Sequence, residues 1–349
     1  MKAKPHPLDQ MTPVERKYAI EHGQDYDRVP CVPFIGNMPL LLCQAAEHEY
    51  LNSPECMATG ELLAYQRFGF DRLNIGPNTA GISAAIGSQL PATTARKPLD
   101  DYAKLDRLEP LDAQHHPLIQ IYRQAADMLM DAAGEIVPIE ASIGGPLTIA
   151  SYLRETEWLL RDCIRRPEEV HRLLRIVTDS QKRVIDVLAA CGVGIAMADP
   201  VASPSLIGPR FYENLVFPYT QELTEYAYQK TGQKVSLHMC GQTRSIWKYL
   251  SQYPLNEVSL DNIVDLDLAA AELGCNVPIA GNVDPVEVMR NGTKEDIFCA
   301  VKACIRAGRN ASKGFHLTTG CDIPDGTAME KVDWFMEAAR LYGNPREPF

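Results

Sequence analysis

The sequence predicts an α/β fold, a single (β/α)8 TIM barrel, on three observations. Eight short β-rich runs alternate with helical segments, which indicates a parallel sheet. The count of eight favours a closed barrel over an open doubly wound sheet. The length of 349 residues accommodates the roughly 250 of a plain barrel with insertions. The runs are VPCVPFI near 29, DRLNI at 71, EIVPIEAS at 135, GIAMAD at 194, KVSLHMC at 234, NEVSLD at 256, VPIAGNV at 277 and GFHLTTG at 314. No internal repeat, low-complexity tract or Ser/Gly-rich linker divides the chain. Residues 1–349 are therefore read as one domain, with 1–28 an N-terminal helical extension and 77–134 an insertion after strand 2.

The elements have local reasons. TPVERKYAIEHG predicts a helix over 11–22, with Thr12 as N-cap, Pro13 at N1 and Glu15 completing a capping box. Within 168–190, Val170, Leu173, Leu174, Val177, Val184 and Leu188 follow the three- and four-residue steps of one buried face. The stretch 77–134 is too long for one crossover helix and is broken at Pro91 and Pro110, so it is expected to carry extra structure over the barrel mouth.

Composition excludes several classes of function. Apolar residues make up 46% and charged residues 23%, enough for a core and unlike a disordered chain. The net charge of −11, without a basic run, argues against nucleic acid as a partner. MKAKPHPLDQM has no apolar core of a signal peptide, and no apolar run approaches the roughly 20 residues that span a bilayer. A cytoplasmic enzyme is expected, with the ten cysteines as free thiols or metal ligands.

In such barrels the active site forms where strands end, because the βα loops converge there. In KVSLHMC, Val235, Leu237 and Met239 alternate with Ser236, His238 and Cys240, so His238 and Cys240 share a strand face. An imidazole and a thiolate so placed can converge on one zinc ion. GFHLTTG runs into Cys321 at another strand end, and N, S and S ligands with an open fourth position suit catalytic zinc. Spacing this short leaves a metal site and a chance pairing both open. Asn78, Glu140, Asp199, Asp261, Asn282 and Asp284 also stand at strand ends, as a fourth ligand, as groups orienting His238, or as helix caps and turn residues. For Asp284, followed by Pro285, the cap is the better reading. His115, His116 and His171 are read as solvated, and alternation turns His316 away from the face of Leu317.

Four segments carry a family resemblance: IGGPLTIASY (143–152), HMCGQT (238–243), SLDNIVDLDLAAAELGCNVPIAGNVDP (259–285) and GFHLTTGCDIPDGTAMEKV (314–332). With them the chain resembles the uroporphyrinogen decarboxylase superfamily over nearly the whole barrel. Most signatures of the decarboxylases proper are missing. Their substrate-clamping arginine segment corresponds to PFIGNMPLLLCQ, which has no arginine. Their catalytic aspartate, nine residues before a glycine that matches Gly87, falls on Asn78. Their late histidine falls on Cys321, and only their active-site tyrosine is matched, by Tyr152.

The chain is more similar to the corrinoid-dependent methyltransferases of the same superfamily, such as the methylcobamide:coenzyme M methyltransferases, whose zinc motif is His-x-Cys followed much later by Cys. The resemblance implies zinc on His238, Cys240 and Cys321, and a corrinoid (cobalamin) carried by a separate partner protein. It implies methyl transfer between that corrinoid and a thiol or a methylated small molecule. Tyr152, Asn78 and Asp199 are the candidates for catalytic contacts. Glu140, Asp199, Asp261 or the substrate are the candidates for the fourth zinc position. A tetrapyrrole decarboxylase-like lyase and a non-catalytic corrinoid- or metal-binding barrel are the rival readings, since fold does not fix function.

Overall fold

The computed structural model describes residues 2–90 and 97–346. Seven strands form one sheet in chain order: β1 (Leu73–Pro77), β2 (Ile139–Gly144), β3 (Gly194–Ala198), β4 (Val235–Met239), β5 (Leu255–Leu260), β6 (Ile279–Val283) and β7 (Phe315–Thr319). The pairs β3–β4, β5–β6 and β6–β7 are parallel, and helices follow the strands, as the α/β expectation requires.

The first expected strand, VPCVPFI, survives as an isolated parallel bridge between Cys31 and Leu317. Val32 N donates to Leu317 O, Leu317 N donates to Pro30 O, and Asp71 N donates to Cys31 O. These bonds place residues 30–32 where an eighth strand would stand. The ladder stops there because Pro30 and Pro33 have no N–H to contribute.

The expected caps and faces are present. The helix Pro13–Glu21 has Thr12 as N-cap, with Thr12 Oγ1 accepting from Glu15 N and the Glu15 carboxylate accepting from Thr12 N. The helix Pro167–Ala189 buries Val170, Leu173, Leu174, Val177, Val184 and Leu188. Residues 77–134 contain the helices Asn78–Gly87 and Pro117–Ala133 with a 3-10 turn at Tyr102–Arg107 between them. The break expected at Pro91 lies outside the described residues. No helix among the described residues is long and apolar enough to cross a membrane, and no disulfide joins any of the ten cysteines.

Contacts group the chain into two compact units, the first comprising Met1–Ile75, Ala125–Glu140 and Glu257–Phe349. Its interior is organised by charge. The Asp71 carboxylate accepts from Arg16 and Arg28 and from the Cys31 amide. Arg16 also forks onto Asp27, with both bonds 2.7 Å. Arg28 pairs with Asp9 at 2.9 Å, and Arg340 reaches the other Asp9 oxygen at 2.9 Å. Arg16 and Arg28 are buried, a position tolerable for a charge only when it is paired and hydrogen-bonded. A second set lies at the starts of strands, where Arg72 pairs with Glu140 (3.1 Å) and Glu257 (2.6 Å), and Glu257 with His316 (2.6 Å). Burial pushes Glu257 up, yet the Arg72 and His316 charges outweigh it and hold the carboxyl well below its usual range. His316 thus belongs to a polar cluster, while Leu317 is fully buried.

The second unit comprises Gly76–Gln124 and Ala141–Asn256. Arg154 anchors its 97–108 stretch, donating to Leu99 O and Asp100 O while pairing with Asp162 at 2.8 Å. Its guanidinium also lies 4.5 Å from the Tyr102 ring centroid, which adds a cation–π contact.

Asp9 gives the buried charges a measurable signature. Burial alone would raise its pKa, but the hydrogen bonds and charges of Arg28 and Arg340 prevail and hold it at about 2. A carboxylate depressed in the folded state stabilises above its unfolded pKa, near 3.9, and that stability disappears as pH falls towards 2. Asp9→Asn is expected to cost about 2 kcal/mol at pH 7, with the difference from the parent protein shrinking between pH 5 and 2. Urea unfolding across that range checks it, and a pH-independent difference would remove Asp9 from the acid response.

Candidate metal centre

β4 carries the first two ligand-capable side chains. Val235, Leu237 and Met239 are at most 1% exposed, and this buried set fixes the register that leaves His238 half-buried. His238 stands opposite Ala198 of β3, and its carbonyl accepts from Asp199 N at 3.3 Å. Cys240 follows the strand end, and Gly241 turns the chain in the left-handed region at φ +77°, where a Cβ is disfavoured. His238 Nε2 lies 3.1 Å from Cys240 Sγ.

Cys321 follows β7 through Gly320, whose amide donates to Val283 O at 2.8 Å. A Cβ on Gly320 would overlap the Asn262 main chain, so only glycine permits this exit. The ligand-capable atoms of His238, Cys240 and Cys321 lie within 4.8 Å of one another, and among the described residues they are the one such group of three or more His, Cys, Asp or Glu side chains. Donors on a zinc ion at 2.0–2.3 Å stand roughly 3.5–4 Å apart, so these separations and the N, S, S chemistry fit that metal.

The carboxylates considered for a fourth ligand are outside this group. Glu140, expected at a strand end, is instead the second residue of β2 and is paired there with Arg72. Asp261 accepts from Ile263 N in its own turn. Asp199 is fully buried; its Oδ1 accepts from Thr148 N at 2.9 Å and from the Thr148 hydroxyl, so it caps the helix Pro146–Leu153. Burial raises its pKa to about 6 against those hydrogen bonds. Gly145 is required there, since a Cβ would overlap the carboxylate.

The remaining residues divide between structure and solvent. Asp284 caps the turn after β6, accepting from Val286 N and Glu287 N at 2.8 Å each. Asn282 donates to Asp261 O and Val264 O, securing the loop after β5. Asn78 opens its helix at φ +51°, a rare conformation for a residue with a side chain, and is exposed. Tyr152 is 43% exposed, with Lys97 Nζ 4.8 Å from its ring centroid. His115 is exposed beside Asp112. The solvated reading fails for His171, whose Nδ1 lies 2.8 Å from Tyr219 Oη, because the neighbouring helix supplies a partner across its polar face. His116 is also half-buried, and burial lowers its pKa. Thr148, Ser203 and Ser205 were not singled out by sequence; the Gly-Gly-Pro before Thr148 was the available signal, marking a close approach at a helix start.

A family model described as uroporphyrinogen decarboxylase (URO-D) matches residues 12–342. The chain belongs to the uroporphyrinogen decarboxylase family. A methylcobamide:CoM methyltransferase of Methanosarcina mazei is 27% identical over 348 residues, covering 96% of this chain and 99% of the relative. A methylated-thiol–coenzyme M methyltransferase of the same organism is 24% identical, covering 97% and 92%. A uroporphyrinogen decarboxylase of Crocosphaera subtropica is 24% identical over 70% of this chain and 68% of its own. The solved structure of a methyltransferase from Methanosarcina mazei superposes with a TM-score of 0.78 at 21% identity, covering 95% of this chain and 99% of that one, so the two share a fold.

The contact of Gly145 with Asp199 makes a stability prediction. Gly145→Ala is expected to destabilise by about 1–3 kcal/mol through overpacking, and to cost less in an Asp199→Ala background. Denaturant unfolding of the four proteins in that cycle tests it, and equal costs in both backgrounds would mean that the two sites are not in contact.

Proposed function

We propose that this chain is a zinc-dependent methyltransferase that moves a methyl group between a corrinoid on a partner protein and a thiol or a methylated small molecule. The carrying observation is the convergence of one imidazole and two thiols within 4.8 Å. His238, Cys240 and Cys321 would hold the metal, and three protein ligands leave a position open for a reactant. Bound there, zinc supplies Lewis acidity that favours the thiolate of an incoming thiol, or polarises a methylated donor. The near full-length similarity to methylcobamide:CoM methyltransferases supports the corrinoid and thiol side of this reading.

The chain's other residues take supporting roles. Asn78, exposed at the end of β1, and Tyr152, exposed in the last turn of the helix Pro146–Leu153, would contact the substrate, while Asp199, with its carboxylate turned to a helix start, would hold the strand end in place. A tetrapyrrole decarboxylase is disfavoured: Asn78 cannot supply a carboxylate, and residues 33–44 contain no arginine to balance a polyanion. Ten cysteines with no disulfide among them suit a reducing compartment, and the cytoplasm is the proposed location.

Purified protein should contain about one zinc per chain, with Cys240→Ala and Cys321→Ala each losing it, and should demethylate methylcobalamin only when a thiol acceptor is present. Metal analysis and the corrinoid absorbance change check both, alongside an assay in which uroporphyrinogen should remain intact. Undiminished zinc in either variant would remove that cysteine from the site, and coproporphyrinogen formation would restore the lyase reading.

A further inference from the structure

The loop after β3, from Asp199 to Ser205, holds the His238–Cys240 segment at both ends. On one side Asp199 N donates to His238 O. On the other, Ser205 Oγ accepts from Gln242 N at 3.1 Å. Between these bonds lies Gly241, at φ +77°, where a Cβ would overlap Ser203 Oγ and come within 2.9 Å of Ser205 Oγ. Cys240 therefore sits on a turn that is tied before and after it and packed against two serine hydroxyls.

The loop is itself braced from within. Thr148 donates both its amide and its hydroxyl to the Asp199 carboxylate, and the same hydroxyl accepts from Val201 N at 3.0 Å. Ser203 Oγ then accepts from Ser205 N, capping the helix Pro204–Phe211 and fixing where Ser205 begins. Hydrogen bonds at Asp199, Val201, Ser203 and Ser205 thus hold the loop along its length, the last of them to the amide two residues beyond Cys240.

We infer that Ser205 is a positioning residue for Cys240: its hydroxyl fixes the Cys240–Gly241–Gln242 turn and so aims Cys240 Sγ beside His238 Nε2. Ser205 touches no reacting atom in this account. Its effect is to settle the ligand arrangement before the metal arrives, and groups that orient metal ligands in this way commonly carry a large share of metal affinity.

The inference rests on the zinc reading above, and competition against a chromophoric chelator separates the two. Wild-type protein should take zinc from the chelator. Ser205→Ala should bind it about tenfold to a hundredfold more weakly at an unchanged Tm, and Ser205→Thr, which keeps the hydroxyl, should restore the affinity. Cobalt in place of zinc should show thiolate-to-metal absorption that is weaker in Ser205→Ala at equal loading. Wild-type affinity in Ser205→Ala, or a Ser205→Thr protein as weak as Ser205→Ala, would overturn the positioning role. Failure of the wild type itself to bind zinc would instead overturn the zinc reading.

Discussion

The Asp71 carboxylate is the constraint on which the N-terminal part of the structure depends. It gathers two buried guanidiniums and the Cys31 amide, tying the first helix and the segment at 30–32 to the approach to β1. Removing one partner from such a set leaves a buried charge uncompensated, which costs more than the pairing itself contributes. The segment at 30–32 in turn hydrogen-bonds β7 at Leu317, four residues before Cys321. The strand that leads to Cys321 is therefore tied, through residues 30–32, to this buried set of charges.

Polar residues along the strands fall into two groups with different physical duties. At the starts of strands, Arg72, Glu140, Glu257 and His316 pair with one another. At the ends, His238, Cys240 and Cys321 have soft and borderline donors near one another, with glycines at 241 and 320 allowing the chain to leave the sheet. The same division between a stabilising end and a reactive end is general to barrels of this type.

Much of this was legible in the sequence because it depends on short periods. The alternation Val235, Leu237, Met239 identified the buried side of β4 and so the side of His238, and the helical stripe from Val170 to Leu188 and the Thr12 capping box followed from three- and four-residue steps. Asp284 was readable as a cap from the proline after it. What escaped depends on partners distant in sequence. Asp199 meets Thr148 across 51 residues, and His171 meets Tyr219 across 48. No local pattern distinguishes a carboxylate that caps a foreign helix from one that faces solvent. The segment at 29–35 had the composition of a strand, but its prolines cut the ladder to a bridge.

Those two prolines have a further consequence. Of residues 30–33, only Cys31 and Val32 carry an N–H, and these go to a carboxylate and to Leu317 O respectively. If this seam opened, the freed stretch would be a poor template for a strand from another molecule, because it lacks the run of donors that edge-to-edge association needs. This interrupted part of the sheet is thus also a part protected against aggregation.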